Sequence, residues 1–125
     1  FCNFVQGVRS LNPGDMGVLL ENIVLETLQS LGLGGQIKYW RTKTKAELDF
    51  VLPLSRDQTV AIECKAKERN FDPAALEIFR KRHPRGENWV ITLDSVTREE
   101  KIRGITIKWI HVMDLGPEML EKSSR

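Results

Sequence analysis

Apolar residues recur along this chain first at helical and then at strand spacing. From about Pro13 or Gly14 to Leu31, the residues Met16, Leu19, Leu20, Ile23, Val24, Leu28 and Leu31 return at three- and four-residue intervals, which predicts an amphipathic helix. Asn12-Pro13 offers a cap and a first-turn proline, and Gly32, Gly34 and Gly35 end the element. Ile37–Thr42 then reads as a short aromatic strand, followed by a polar connection to Lys45. Two further strands follow, over Ala46–Leu52 and Thr59–Lys65, with a turn between Pro53 and Gln58. Glu68–Asp72 is a loop. Asp72-Pro73 opens a second helix through about Lys81, with Ala75, Leu76 and Phe79 on its buried stripe, and Pro84–Gly86 ends it. Trp89–Leu93 is a buried strand, Asp94–Arg103 a charged excursion, Ile105–Ile110 an alternating strand, and Leu115–Lys122 a short helix.

The order is helix, three strands, helix, strand, strand, helix. The first three strands are expected to form an antiparallel meander, and the strand after the second helix to pair in parallel through a crossover. The fold class is therefore α/β, a mixed sheet flanked by helices. Residues 12–122 read as one domain, residues 1–11 as the remnant of an upstream segment, and residues 123–125 as a frayed tail.

Three polar residues interrupt the two central strands. Alternation puts Leu48, Phe50 and Leu52 on one face and Asp49 and Val51 on the other, while Val60, Ile62 and Cys64 oppose Ala61, Glu63 and Lys65. A hairpin centred near Arg56 sets Asp49 across from Glu63, about 5 Å apart. Two carboxylates and an ammonium then share one patch. Asp is disfavoured in strands and facing like charges are destabilising, so folding alone does not explain the pattern. A divalent metal ion does. On the first helix Glu21 has Val18, Val24, Leu25 and Leu28 as its neighbours, where an acid is costly unless compensated. It either snorkels to solvent or aims at the strand acids.

Length and composition narrow the classes. With 125 residues, 41% apolar and 29% charged, the chain is long enough for a single globular core, and a net charge of +2 forces no polyanionic partner. Basic residues nevertheless gather mid-chain, from Lys38, Arg41, Lys43 and Lys45 through Lys65, Lys67 and Arg69 to Arg80, Lys81, Arg82 and Arg85, as a phosphate-facing rim or a solvated surface. No stretch is apolar enough to span a bilayer and no secretory leader is evident, so no membrane partner is expected. Cys2 and Cys64 lack metal-ligand or disulfide spacing, which fits a reducing cytoplasm, and Cys64 reads as a small buried hydrophobe. His83 and His111 are too few and too scattered for a zinc hydrolase, and no serine has a nearby base. The homo-oligomeric state is left open.

Hard oxygen donors select Mg²⁺ or Mn²⁺. Asp49 and Glu63, with the carbonyl of Cys64, can hold such an ion, and Glu21 can bind a second metal or orient a water from the helix side. Lys65, on the face of Glu63, can position the attacking water or neutralise charge on phosphorus. The parts suit a metal-assisted phosphodiester hydrolase, while a structural ion pair of Lys65 with either acid is the plainer alternative.

The αβββαβ order with Asp49 and the triplet Glu63-Cys64-Lys65 resembles the PD-(D/E)XK nuclease superfamily, with Leu48 where a proline is usual and Glu21 matching an additional helix acid. More closely, Gly17-Val-Leu-Leu-Glu-Asn-Ile-Val24, Tyr39-Trp-Arg41, Glu47-Leu-Asp-Phe-Val51 and Ala61-Ile-Glu-Cys-Lys65 resemble the C-terminal domain of uncharacterised bacterial and archaeal AAA-type ATPases. The resemblance implies a restriction-endonuclease-like core and Mg²⁺ or Mn²⁺ as cofactor. Asp49, Glu63, Lys65 and Glu21 are then the catalytic residues, nucleic acid (DNA first) the substrate, and an upstream ATPase module the partner. No phosphate-binding loop occurs in this chain itself. The alternative is a catalytically silent module that binds nucleic acid or protein beside an ATPase.

Overall fold

The computed structural model describes residues 13–43, 46–54 and 58–123. The upstream segment Phe1–Leu11, the Asn12 cap, the turn centre at Arg56 and residues 124 and 125 of the tail lie outside them. Helix α1 (Pro13–Ser30) carries the stripe Leu20, Val24 and Leu28, all fully buried, with Leu19, Ile23 and Leu31 at its margins. Each such side chain contributes about 1.5–3 kcal/mol on burial. Three antiparallel strands follow, β1 (Lys38–Arg41), β2 (Glu47–Pro53) and β3 (Thr59–Cys64). Helix α2 (Ala74–Arg82) buries Leu76 and Phe79 as its stripe predicts. Strands β4 (Gly86–Thr92), β5 (Arg98–Ile102) and β6 (Ile105–His111) and helix α3 (Leu115–Ser123) complete the chain.

The six strands make one mixed sheet in the order β1-β2-β3-β4-β6-β5. β3 pairs in parallel with β4, and β4 with β6, as a crossover through α2 requires. The sheet separates two cores. Phe50, Leu52, Val60, Ile62 and Cys64 pack with Leu20, Val24 and Leu28 of α1 and Leu115 and Met119 of α3. Leu48, Val51, Ala61, Val90, Ile107 and Trp109 pack with Leu76 and Phe79 of α2. The fold is α/β, with helices on both sides of the sheet. Among the described residues no helix is long and apolar enough to cross a membrane.

Two local features depart from the sequence reading. The charged excursion contains an edge strand: β5 pairs antiparallel with β6, from Arg98 against Trp109 to Ile102 against Ile105. Its two-residue turn, Arg103-Gly104, has both φ angles positive, at 50° and 80°, the hairpin geometry that a glycine in second place favours. The second departure is in β2. Lys38 pairs with Val51 but Trp40 with Leu48, so β2 holds one residue more than β1 over that span, a β-bulge at Asp49 and Phe50. Leu48 consequently lies with Val51 in the α2 core, not with Phe50 and Leu52 as strict alternation predicts.

The end of the sheet away from this bulge is held by Arg80. Its guanidinium donates to Oδ1 of Asn88 and Oγ1 of Thr59, and to the carbonyls of Thr59, His83, Arg85 and Glu87. Beside it Gly86 has φ 130°, and a Cβ there would stand 1.7 Å from the Thr59 carbonyl oxygen. β3 and β4 therefore begin in a contact that no larger residue fits.

Candidate functional site

The bulge decides where Asp49 points. The β2–β3 register runs Pro53 against Thr59, Leu52 against Val60, Val51 against Ala61 and Phe50 against Ile62, the register a turn centred at Arg56 requires. The ladder ends there. Asp49 does not continue it opposite Glu63; its Oδ2 instead accepts the backbone N–H of Cys64 at 2.7 Å. A side-chain carboxylate thus bonds a backbone amide of β3 at the position where regular pairing has stopped.

From that position Asp49 meets α1. Its carboxyl hydrogen-bonds that of Glu21, so the misplaced helix acid, half-buried, is aimed at the strand site. This hydrogen bond, with burial next and the charges of Asp49 and Glu47 behind it, raises Glu21 from 4.5 to about 7, against the opposing charge of Lys65.

Glu63 faces the other way. It is 4% exposed and lines a depression of about 370 Å³ with Glu47, Lys65, Asp72 and Ala74, Ala75 and Ile78 of α2 or its approach. Burial lifts its carboxyl to about 7; the Lys65 charge works against that lift, and the charges of Asp49 and Asp72 reinforce it. The two strand acids therefore do not share one face, as alternation predicts. They stand toward opposite layers across the sheet, each near enough to act on the other by charge.

Cys64 sits between them in sequence and is buried on the α1 side. Burial, then the negative charges of Asp49, Glu21 and Glu63, hold its thiol well above the ordinary range. It is a protonated core residue, so only its carbonyl could serve a cation.

Three depressions meet at this cluster. Asp49 lines one of about 400 Å³ with Glu21, Glu47, Tyr39, Trp40 and Arg41. A second, of about 580 Å³, takes in Glu21, Lys65, Lys67, Arg69 and Asn70. The third holds Glu63. Glu21 borders the first and second, Lys65 the second and third, and Glu47 the first and third. The structure thus brings Glu21, Asp49, Glu63 and Lys65 to one junction.

The donors are hard oxygens, and the hydrogen bond between Glu21 and Asp49 occupies the kind of contact that a divalent cation replaces. Among the described residues, however, no three His, Cys, Asp or Glu side chains converge as they stand on a point that could hold a metal ion. The donor chemistry fits Mg²⁺ or Mn²⁺, with Glu21 and Asp49 the pair best placed.

Sequence reasoning did not mark Glu47. It lies beside the acids in two depressions and ion-pairs with Arg41 at 2.9 Å. The signal was its position two residues before Asp49, on an exposed strand start. Trp40 is half-buried against the α2 core, edge-on to Phe79 at 5.3 Å, and Tyr39 is exposed. His83 stacks on Phe79 at the end of α2, and Nδ1 of His111 accepts the Met113 N–H, so each has a structural role.

No curated protein matches the chain. A family model described as "Domain of unknown function (DUF4143)" matches residues 16–110, a span that runs from α1, four positions before its first fully buried leucine, into β6 and includes all four residues at the junction, and the chain belongs to that family.

Proposed function

We propose that this domain is a divalent-metal-dependent nuclease of the PD-(D/E)XK type, attached in its parent protein to an AAA-type ATPase. The observation that carries the reading is the contact of Glu21 on α1 with Asp49 on β2, beside Glu63 and Lys65 at the end of β3. Asp49, Glu63 and the Cys64 carbonyl, with Glu21, would hold Mg²⁺ or Mn²⁺. When bound, the ion supplies an acidified water and offsets charge on the phosphoryl oxygens.

The chain's own residues do the rest. Lys65 borders both the basic depression and the one holding Glu63, where its ammonium can orient the attacking water and meet charge developing on the phosphate. Lys67 and Arg69 beside it suit backbone phosphates. In the metal-free domain the carboxyls of Glu21 and Glu63 lie near 7, so a cation would compete with protons for them close to neutral pH. DNA is the first substrate to try and the cytoplasm the expected compartment.

A specific observation favours a second reading, a catalytically silent nucleic-acid- or protein-binding module. Asp49 and Glu63 line separate depressions, so a single cation must draw them together before it can use both. One experiment separates the two readings. Supercoiled plasmid, single-stranded DNA and RNA are incubated with Mg²⁺ or Mn²⁺ and with wild type, Asp49→Ala or Asp49→Asn. Metal-dependent cutting lost in both variants supports the nuclease. Wild type that cuts nothing on any substrate supports the binding module, and cutting kept in both variants places the activity elsewhere.

A further inference from the structure

β1 is an edge strand, and Tyr39 stands on it 69% exposed. Large aromatics are normally packed against a core, as half-buried neighbouring Trp40 is against Phe79. Tyr39 instead lines the same depression as Glu21 and Asp49, with its ring centroid 5.9 Å from Phe50, which supports it from the core side. Lys38 precedes it on the strand and Arg41, ion-paired with Glu47, follows two residues on, both exposed. On the far side of Glu21 the next depression carries Lys65, Lys67 and Arg69. Read across the surface, cations, an acid pair, an open aromatic ring and further cations follow one another.

That succession matches one kind of polymer. Phosphates need the cations, a base needs a free ring face, and the reacting phosphodiester needs the acids between them. A base can stack on a side chain only when it is unpaired, because in a duplex its faces are covered by its neighbours. We propose that the substrate of this site is single-stranded or frayed nucleic acid, held with one base stacked on Tyr39 and its backbone crossing the Glu21–Asp49 pair toward Lys65, Lys67 and Arg69. The inference rests on the reading of the acid cluster as a phosphodiester site, and it adds the strandedness of the substrate and a residue that recognises it.

The test is binding without turnover. The 125-residue chain is titrated, in Ca²⁺, against a labelled oligodeoxythymidine of about 12 nucleotides and against a blunt duplex of the same length. A second single strand carries 2-aminopurine, whose fluorescence falls on stacking. Wild type is expected to prefer the single strand and to quench the probe. Tyr39→Ala is expected to weaken single-strand binding on the order of tenfold and abolish the quench, with duplex binding unchanged. Tyr39→Phe keeps both. Equal loss on single strand and duplex in Tyr39→Ala, or no loss on either, overturns the inference. A wild type that cuts plasmid with Mg²⁺ yet binds single strands no better than duplex sinks this inference alone. One that stacks the probe through Tyr39 yet cuts nothing sinks the nuclease reading alone.

Discussion

Asp49 Oδ2 accepts the backbone N–H of Cys64 at 2.7 Å, so the carboxylate at the centre of the candidate site also closes the end of a β-ladder. A residue with two employments confounds simple mutagenesis. Asp49→Ala removes the acceptor of a part-buried amide, a loss of about 1–3 kcal/mol. Asp49→Asn keeps a carbonyl oxygen there and is expected to melt within a few degrees of wild type. Both should lose cation-dependent cleavage. Melting curves for the pair decide the matter: equal destabilisation would mean that the amide bond contributes nothing.

The raised acids predict how the metal-free domain responds to pH. Glu63 has a folded value of about 7 against 4.5 unfolded, so its contribution is fully present below 4.5 and is lost as pH rises through 7. Glu21 acts with the same sign. In EDTA the midpoint of thermal unfolding should fall between pH 5 and 8. Glu63→Gln should flatten that fall and recover up to about 3 kcal/mol at pH 8. Parallel curves for wild type and variant would refute the burial argument.

Divalent cations should reverse this trend. Mn²⁺ or Mg²⁺ competes with protons for the same oxygens, so added cation is expected to raise the midpoint at pH 8 and scarcely at pH 5. A hundredfold excess over Kd is worth about 2.7 kcal/mol, several degrees for a domain of this size. Asp49→Asn and Glu21→Gln should lose the effect. The measurement needs no turnover, and an equal shift at both pH values would argue for binding elsewhere.

At the other end of β3, Gly86→Ala puts a methyl group 1.7 Å from the Thr59 carbonyl oxygen, which β4 can relieve only by moving off β3. A loss above about 3 kcal/mol is expected. Arg80→Lys should cost a comparable amount, since an ammonium cannot span six acceptors. Denaturant unfolding of either variant at wild-type midpoint would show that this corner is dispensable.

Much of this was legible in the chain. Glu63 and Lys65 stood out because they end a strand of otherwise buried residues, and the misfit of Glu21 on its apolar stripe was a sound sign that something answers it. The bulge left no such mark. Leu48, Phe50, Val51 and Leu52 are all apolar and all buried, so an extra residue among them moves Leu48 from one core to the other without exposing anything. With both faces of the sheet covered, alternation carries little information. β5 was hidden for the opposite reason. Its Arg98, Glu99, Glu100 and Lys101 are all exposed, as suits an edge that must not recruit another strand, and only Arg103-Gly104 signalled the hairpin.

β3 is pinned at both ends by charged side chains acting on its backbone, with Arg80 on the Thr59 carbonyl and Asp49 on the Cys64 amide. These two fastenings span six residues and belong to different elements. A slip of one position would undo both at once, and because side chains alternate it would also carry Glu63 into the greasy layer under α1. The strand's alignment and the address of its acid are thus a single quantity, so damage to the Arg80 corner should be felt as a misplaced carboxylate at the opposite end of the sheet.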